Sequence, residues 1–208
     1  SAAVLGKTRN AGQVCTSPTR FFVARPAYDD FVAAFGARLD AVRVDRGIAE
    51  GAQMGALANP RRLAAAEGLV ADAAARGARV VAGGTREGNR GFLFRPTLLA
   101  DVPADARVLH EEPFCPIALA LPYDTVDEAV ARANAVDVGL AGYVMGRDFA
   151  RAHAVAGRLE VGMVGVNSFA VSHIEAPFGG LKESGYGFEC SSEAVRTFVS
   201  RQYIHHVT

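Results

Sequence analysis

Little in this sequence could staple the chain or anchor it to a surface. Its 208 residues include only three cysteines, Cys15, Cys115 and Cys190. They are odd in number, far apart, and form no CxxC pair. That excludes a disulfide framework and makes a reducing, cytoplasmic compartment the expectation. Three cysteines and five scattered histidines also offer no zinc-ligand spacing, so no metal site is expected. A dominant charge is missing as well: 22 basic and 22 acidic residues give a formal net charge of zero. That balance supplies no field for nucleic acid or an anionic membrane. No apolar run nears the roughly 20 residues of a spanning helix, and no secretory signal pattern stands at the start. Internal repeats and low-complexity segments are absent too.

What remains is the composition of a globular domain. Half of the residues are hydrophobic and 21% are charged, enough apolar material to close a core. The length suits one large domain or two small ones. The opening "SAAVLGKTRN" reads as the last turns of a helix, and an initiating methionine is absent. A fragment or a trimmed chain is therefore expected.

Periodicity then gives alternating elements. "TRFFVARP" is aromatic and β-branched and reads as a strand ending at Pro26. Tyr28, Phe31, Val32, Phe35, Leu39 and Val42 recur at helical spacing. "NPRRLAAAEGLVADAAARG" opens on Asn59 as N-cap with Pro60 at the first helical position, and stops at Gly77. "ARVVAGG" is a short strand, and "GFLFRPTLLADV" is extended and broken at Pro96. Thr125 with Glu128 three residues on has the spacing of a capping box. "GLAGYVMG", "DFARAHAVAGRL" and "GMVGVN" read as strand, helix and strand. "SSEAVRTFV" reads as a short helix and "RQYIHHV" as a final strand. This alternation predicts an α/β fold with a mostly parallel sheet and helices on both faces.

Three stretches carry candidate chemistry. In "RNAGQVCTSPTR", Gly12 lets the chain leave the incoming helix, and Ser17-Pro18 turns it again. Cys15 thus sits on a connection beside a strand, where backbone N–H groups are available to a nucleophilic thiol. In "HEEPFCP", two carboxylates precede Phe114, which Pro113 and Pro116 bracket and stiffen. That turn suits a sugar hydroxyl and a flat ring. "APFGGLKESGYG" lacks the spacing of a phosphate-binding loop, and its glycines point instead to close backbone approach.

Taken in order with "VGVN", these motifs resemble the aldehyde dehydrogenase superfamily over essentially the whole chain. Among its members, the succinate-semialdehyde and related semialdehyde dehydrogenases are the most similar. The resemblance implies that residues 1–198 form the catalytic domain and 199–208 a C-terminal strand that pairs with a neighbouring subunit, giving a dimer or tetramer. It assigns Cys15 as the nucleophile. It gives Glu112 to the hydroxyls of the nicotinamide ribose and Phe114 to the nicotinamide end. It makes Val14, Thr16, Ser172 and Phe178 the lining of the aldehyde channel, and Asn167 a support for the site's loops. NAD or NADP is the implied cofactor, held mainly by a domain preceding Ser1. The general-base glutamate and the oxyanion asparagine of the family also have no match in these residues. The chain alone is therefore expected to bind cofactor weakly and not to turn over a small aldehyde. A non-catalytic scaffold of the same fold and a coenzyme A-acylating dehydrogenase stand as alternatives.

One position departs from the family pattern. Cys115 stands where glycine is usual, which would strain the backbone if a positive φ is needed there and be harmless if the conformation is extended. Nothing in the sequence places Cys115 near Cys15, and Cys190 reads as structural. Arg9 and Arg20 are the nearest cations for a distal substrate carboxylate. Lys182 and Glu183 read as surface charges of a loop.

Overall fold

A computed structural model describes residues 1–208. They form two compact units, Ser1–Ala133 and Asn134–Thr208. No helix is long and apolar enough to cross a membrane.

The first unit is a sheet clothed on both faces. It contains α1 (Ala2–Thr8), β1 (Arg20–Ala24), α2 (Arg25–Asp40), α3 (Pro60–Ala75), β2 (Arg79–Ala82), β3 (Thr97–Ala100) and β4 (Ile117–Tyr123), with α4 (Val126–Asn134) at its end. The strand order is β1-β4-β3-β2. The β1–β4 and β4–β3 pairs are parallel, and β2 closes one edge antiparallel to β3. Because strand side chains alternate faces, the run "TLLA" serves two cores at once. Leu98, Ala100, Ala118 and Ala120 pack with Tyr28, Val32, Phe35 and Leu39 of α2. Leu99, Ile117, Leu119 and Leu121 pack on the other side with Leu63, Ala66, Leu69, Val70 and Ala73 of α3. Each large apolar side chain so enclosed contributes about 1.5–3 kcal/mol of burial free energy.

The helix ends follow from local chemistry. The Asn59 side chain accepts a hydrogen bond from the backbone N–H of Arg62 at 3.0 Å, and Pro60 opens the first turn of α3. Pro26 likewise lies in the first turn of α2, so β1 hands directly over to a helix at Arg25.

The second unit holds β5 (Val138–Gly139), β6 (Ala141–Val144), α5 (Phe149–Ala156), β7 (Met163–Val166) and β8 (Leu181–Lys182). β6 and β7 pair in parallel, β5 and β8 antiparallel. Asp148 caps α5 through the N–H of Arg151 at 3.0 Å. The expected helix over "SSEAVRTFV" is a 3₁₀ turn, Ala194–Phe198. Residues 199–208, expected as a strand, pair with no other strand within the chain and are exposed. The expected strand is therefore not formed within these residues.

Candidate active site

The incoming helix α1 ends with Lys7 and Thr8 buried. After Arg9, three residues in succession, Asn10, Ala11 and Gly12, have φ values of 48°, 53° and 70°. A left-handed conformation costs roughly 1–2 kcal/mol for each non-glycine residue, so Asn10 and Ala11 need compensation. Side-chain amides supply it. The Asn10 amide donates to the carbonyl of Gln13 at 3.0 Å, and the Gln13 amide donates back to the carbonyl of Asn10 at 3.0 Å. The other end of the Gln13 amide accepts from the N–H of Ala58 at 2.8 Å. "RNAGQ" is therefore a left-handed bend latched to itself and to the segment before α3. Past it, Val14 and Thr16 are half-buried and Cys15 between them is exposed. The N–H of Ser17 donates to the carbonyl of Val14 at 2.9 Å, closing the turn into β1.

Gly12 joins the two sequence motifs of this unit. A methyl group built at Gly12 would overlap the carbonyl oxygen of Cys115. The bend that presents Cys15 thus lies directly on the "EEPFCP" segment. Sequence reasoning had nothing to bring Cys115 to this loop, yet its backbone carbonyl is what Gly12 meets. Cys115 itself is fully buried in the core. Burial pushes its thiol up to about 11. Its φ is not among the positive values, and Phe114, at φ 42°, is the left-handed residue of the segment. The side chain in place of the usual glycine is thus accommodated without left-handed strain.

The paired carboxylates divide their tasks. Arg107 holds Glu111 in a bidentate pair at 2.7 and 3.0 Å, which keeps that carboxyl below the usual range. Glu112 is exposed. Its charge reaches back to the buried ammonium of Lys7, which burial nonetheless lowers to about 8. Phe114 is half-buried. Its neighbour Pro113 accepts a hydrogen bond from Arg62 Nη1 at 3.1 Å, and the Arg62 guanidinium carbon stands 5.9 Å from the Phe114 ring centroid. Asn10, Gln13, Ala58, Asn59, Arg62 and Phe114 line an open cavity of about 390 Å³. Polar amides, a cation and an aromatic ring thus meet around one open cavity. Sequence reasoning missed Arg62 and Lys7 altogether. The one available signal was the N-cap at Asn59, which fixes where Arg62 emerges.

Of the two cations offered for a distal carboxylate, Arg20 is withdrawn. Its guanidinium donates to the carbonyls of Arg132 and Ala133, both at 3.0 Å, so it caps the end of α4. Arg9 is exposed.

The remaining expected residues lie in the second unit. The Asn167 side chain spans Gly146, accepting from its N–H at 2.8 Å and donating to its carbonyl at 2.9 Å. It therefore ties the ends of β6 and β7 together. Phe178 is half-buried and exchanges two backbone hydrogen bonds of 2.8 Å with Glu189, while Ser172 is exposed. The glycines after Phe178 do sit in close quarters: a methyl group at Gly179 would strike the Gly187 carbonyl, and one at Gly180 the Ser184 side chain. Lys182 is not a loose surface charge. Its ammonium donates to the carbonyls of Asn134 and Val136 at 2.7 and 3.0 Å and pairs with Glu160 at 2.7 Å.

An exposed cysteine on a latched, strained bend beside an aromatic-walled cavity defines a thiol-centred site on an α/β scaffold. Residues 1–204 match the aldehyde dehydrogenase family, and the chain belongs to that family. It is 51% identical over 201 residues to a putative 4-(hydroxymethyl)benzenesulfonate dehydrogenase of Comamonas testosteroni, covering 97% of this chain and 42% of that protein. It is 44% identical over 205 residues to the mitochondrial succinate-semialdehyde dehydrogenase of Rattus norvegicus, covering 98% of this chain and 39% of that protein. Among solved structures, the NAD⁺ complex of aldehyde dehydrogenase from Bacillus cereus superposes with a TM-score of 0.90 at 34% identity, over 93% of this chain and 40% of the other. The chain thus spans about two fifths of the length of the relatives it matches.

Proposed function

We propose that this chain carries the nucleophile of an NAD(P)-dependent aldehyde dehydrogenase. One observation supports this most directly: Cys15 is exposed on a bend whose Gly12 rests on the segment that holds Glu112 and Phe114. In this reading the Cys15 thiolate attacks the aldehyde carbon, and the carbonyl oxygen becomes the oxyanion of a thiohemiacetal. The Cys15 backbone N–H at the bend stabilises that charge. A bound NAD(P)⁺ would supply the acceptor for the hydride that leaves the carbon. A thioester on Cys15 remains, and water releases it as a carboxylic acid. Glu112 orients ribose hydroxyls, and the Phe114 ring packs against the nicotinamide end. Val14 and Thr16 flank the reacting thiol. The substrate-lining roles of Ser172 and Phe178, and the supporting role of Asn167, rest on the family resemblance. The similarity to a succinate-semialdehyde dehydrogenase makes a semialdehyde the first substrate class to assay. With Arg20 occupied at α4, Arg9 is the remaining candidate on this loop for a distal carboxylate.

The test is aldehyde-dependent reduction of NAD(P)⁺ by the protein expressed from its complete reading frame, with and without Cys15→Ala. Loss of turnover by about a thousandfold or more is expected. Turnover by the variant at the parent rate would overturn the assignment.

A further inference from the structure

Arg62 has no assigned role, yet it makes two contacts with one short segment. It leaves the first turn of α3, where its own N–H is held by the Asn59 cap at 3.0 Å. Its side chain then crosses to Pro113 and Phe114. Nη1 donates to the Pro113 carbonyl at 3.1 Å, and the guanidinium lies over the Phe114 ring at 5.9 Å from its centroid. Arg62 and Phe114 both line the 390 Å³ cavity. Phe114 needs such support. It is a bulky residue at φ 42°, a conformation such a residue holds only when its surroundings impose it. Behind it, buried Cys115 and Pro116 fix the segment from the core side. On the cavity side, Arg62 bonds the backbone before the strained residue and covers its ring.

We propose that Arg62 is a positioning residue that holds Phe114 in its left-handed conformation and sets the ring as the cavity wall. The proposal deepens the functional reading above, because the ring so placed is the surface the nicotinamide end would pack against. The planar guanidinium is required: it donates to the carbonyl and lies over the ring at once, whereas a lysine ammonium is a compact point charge without a planar face.

The test uses the complete protein carrying Arg62→Ala, Arg62→Lys, Phe114→Ala and the Arg62→Ala/Phe114→Ala double variant. In a crystal structure of Arg62→Ala, Phe114 should leave its φ of 42° and its single ring position, with the body of α3 unchanged. Arg62→Lys should restore the ring only in part. The KM for the nicotinamide cofactor should rise about tenfold with kcat changing much less, and the increase should vanish when Phe114 is already alanine. Phe114 at its parent φ and ring position in Arg62→Ala would overturn the positioning role, as would additive effects in the double variant. A displaced Phe114 in a protein that shows no aldehyde-dependent cofactor reduction would support the positioning role while overturning the proposed activity, so the two failures are distinct.

Discussion

The two units use apolar residues in opposite ways. In the first, Leu98, Leu99, Ile117, Ala118 and Leu119 are completely enclosed, and helices cover both faces of the sheet. In the second, strands pair only two by two, while Tyr186, Phe198, Tyr203 and Ile204 lie open to solvent. Burial on this scale makes the first unit a rigid base, and a strained loop is affordable only on such a base. Exposed aromatic and aliphatic side chains in close succession leave the second unit far less enclosed. The difference teaches that the thiol's precision comes from the closed core beneath it.

Breaking the first half of the comparison takes one methyl group. Gly12→Ala puts a Cβ into the Cys115 carbonyl at a φ of 70°. Neither the strand end at β4 nor the latched bend can yield without disturbing the core. A loss on the order of 3 kcal/mol or more of stability is expected, measured by chemical denaturation, together with disordering of the Cys15 bend. Substitution at Gly88, where a methyl group meets nothing within 4 Å, faces only its positive φ of 68° and should cost far less. Equal losses at both glycines would show that the packing of Gly12 on Cys115 is not what the loop depends on.

The second half is sharpened by removing the open segment. Deleting residues 199–208 removes Tyr203, Ile204 and Val207, all exposed. If these residues pair with a second copy, light scattering should give a multiple of the chain mass before deletion and a smaller assembly afterwards, with the first unit's thermal unfolding little changed. An unaltered mass would place the association surface elsewhere or remove it.

The local half of this architecture was legible in the sequence, and the long-range half was not. Asn59 with Pro60 marked the start of α3 because an N-cap and a proline act within four residues of chain. Thr125 with Glu128 marked α4 for the same reason: the Glu128 N–H donates to the Thr125 hydroxyl at 3.2 Å. Even there, the reciprocal carboxylate bond goes to the N–H of Asp124 at 2.9 Å, one residue earlier than a capping box requires. The candidates Cys15, Glu112 and Phe114 stand in short, contiguous motifs, which is why the sequence could offer them at all. Arg20 was misread because its partners are carbonyls more than 100 residues away. Lys182 lies at the surface as expected, but the three acceptors that converge on it could not be read, because they meet only once β5 and β8 have paired. The seat of Gly12 on Cys115 joins residues about a hundred positions apart, and only the parallel β1–β4 pairing brings their segments together.

The smallest expected effect concerns the charge enclosed beneath the bend. Lys7 is fully buried, and desolvation lowers it from 10.5 to about 8, partly offset by the fields of Cys115 and Glu112. Cys115 moves the other way, from 9.0 up to about 11. Stability follows the difference in bound protons between the unfolded and folded chains. From pH 8 to 10.5 the unfolded chain keeps the Lys7 proton that the folded chain has released, so this group makes stability rise with pH. From pH 9 to 11 the folded chain keeps the Cys115 proton that the unfolded chain has lost, so that group makes stability fall. The parent should therefore gain stability from pH 8 to 9, level off while the two slopes oppose, and lose stability above about pH 10, where Tyr28, raised by its own burial, adds to the fall. Lys7→Met removes the first slope: its curve should stay flat to pH 9 and then decline. At pH 7 the variant should be as stable as the parent or more so, by about 3 kcal/mol at most, because methionine fills the site without a desolvated charge. Denaturation midpoints across this pH range measure both curves. A rise between pH 8 and 9 that persists in Lys7→Met would assign the slope to another group and remove Lys7 as the cost carried beneath the thiol loop.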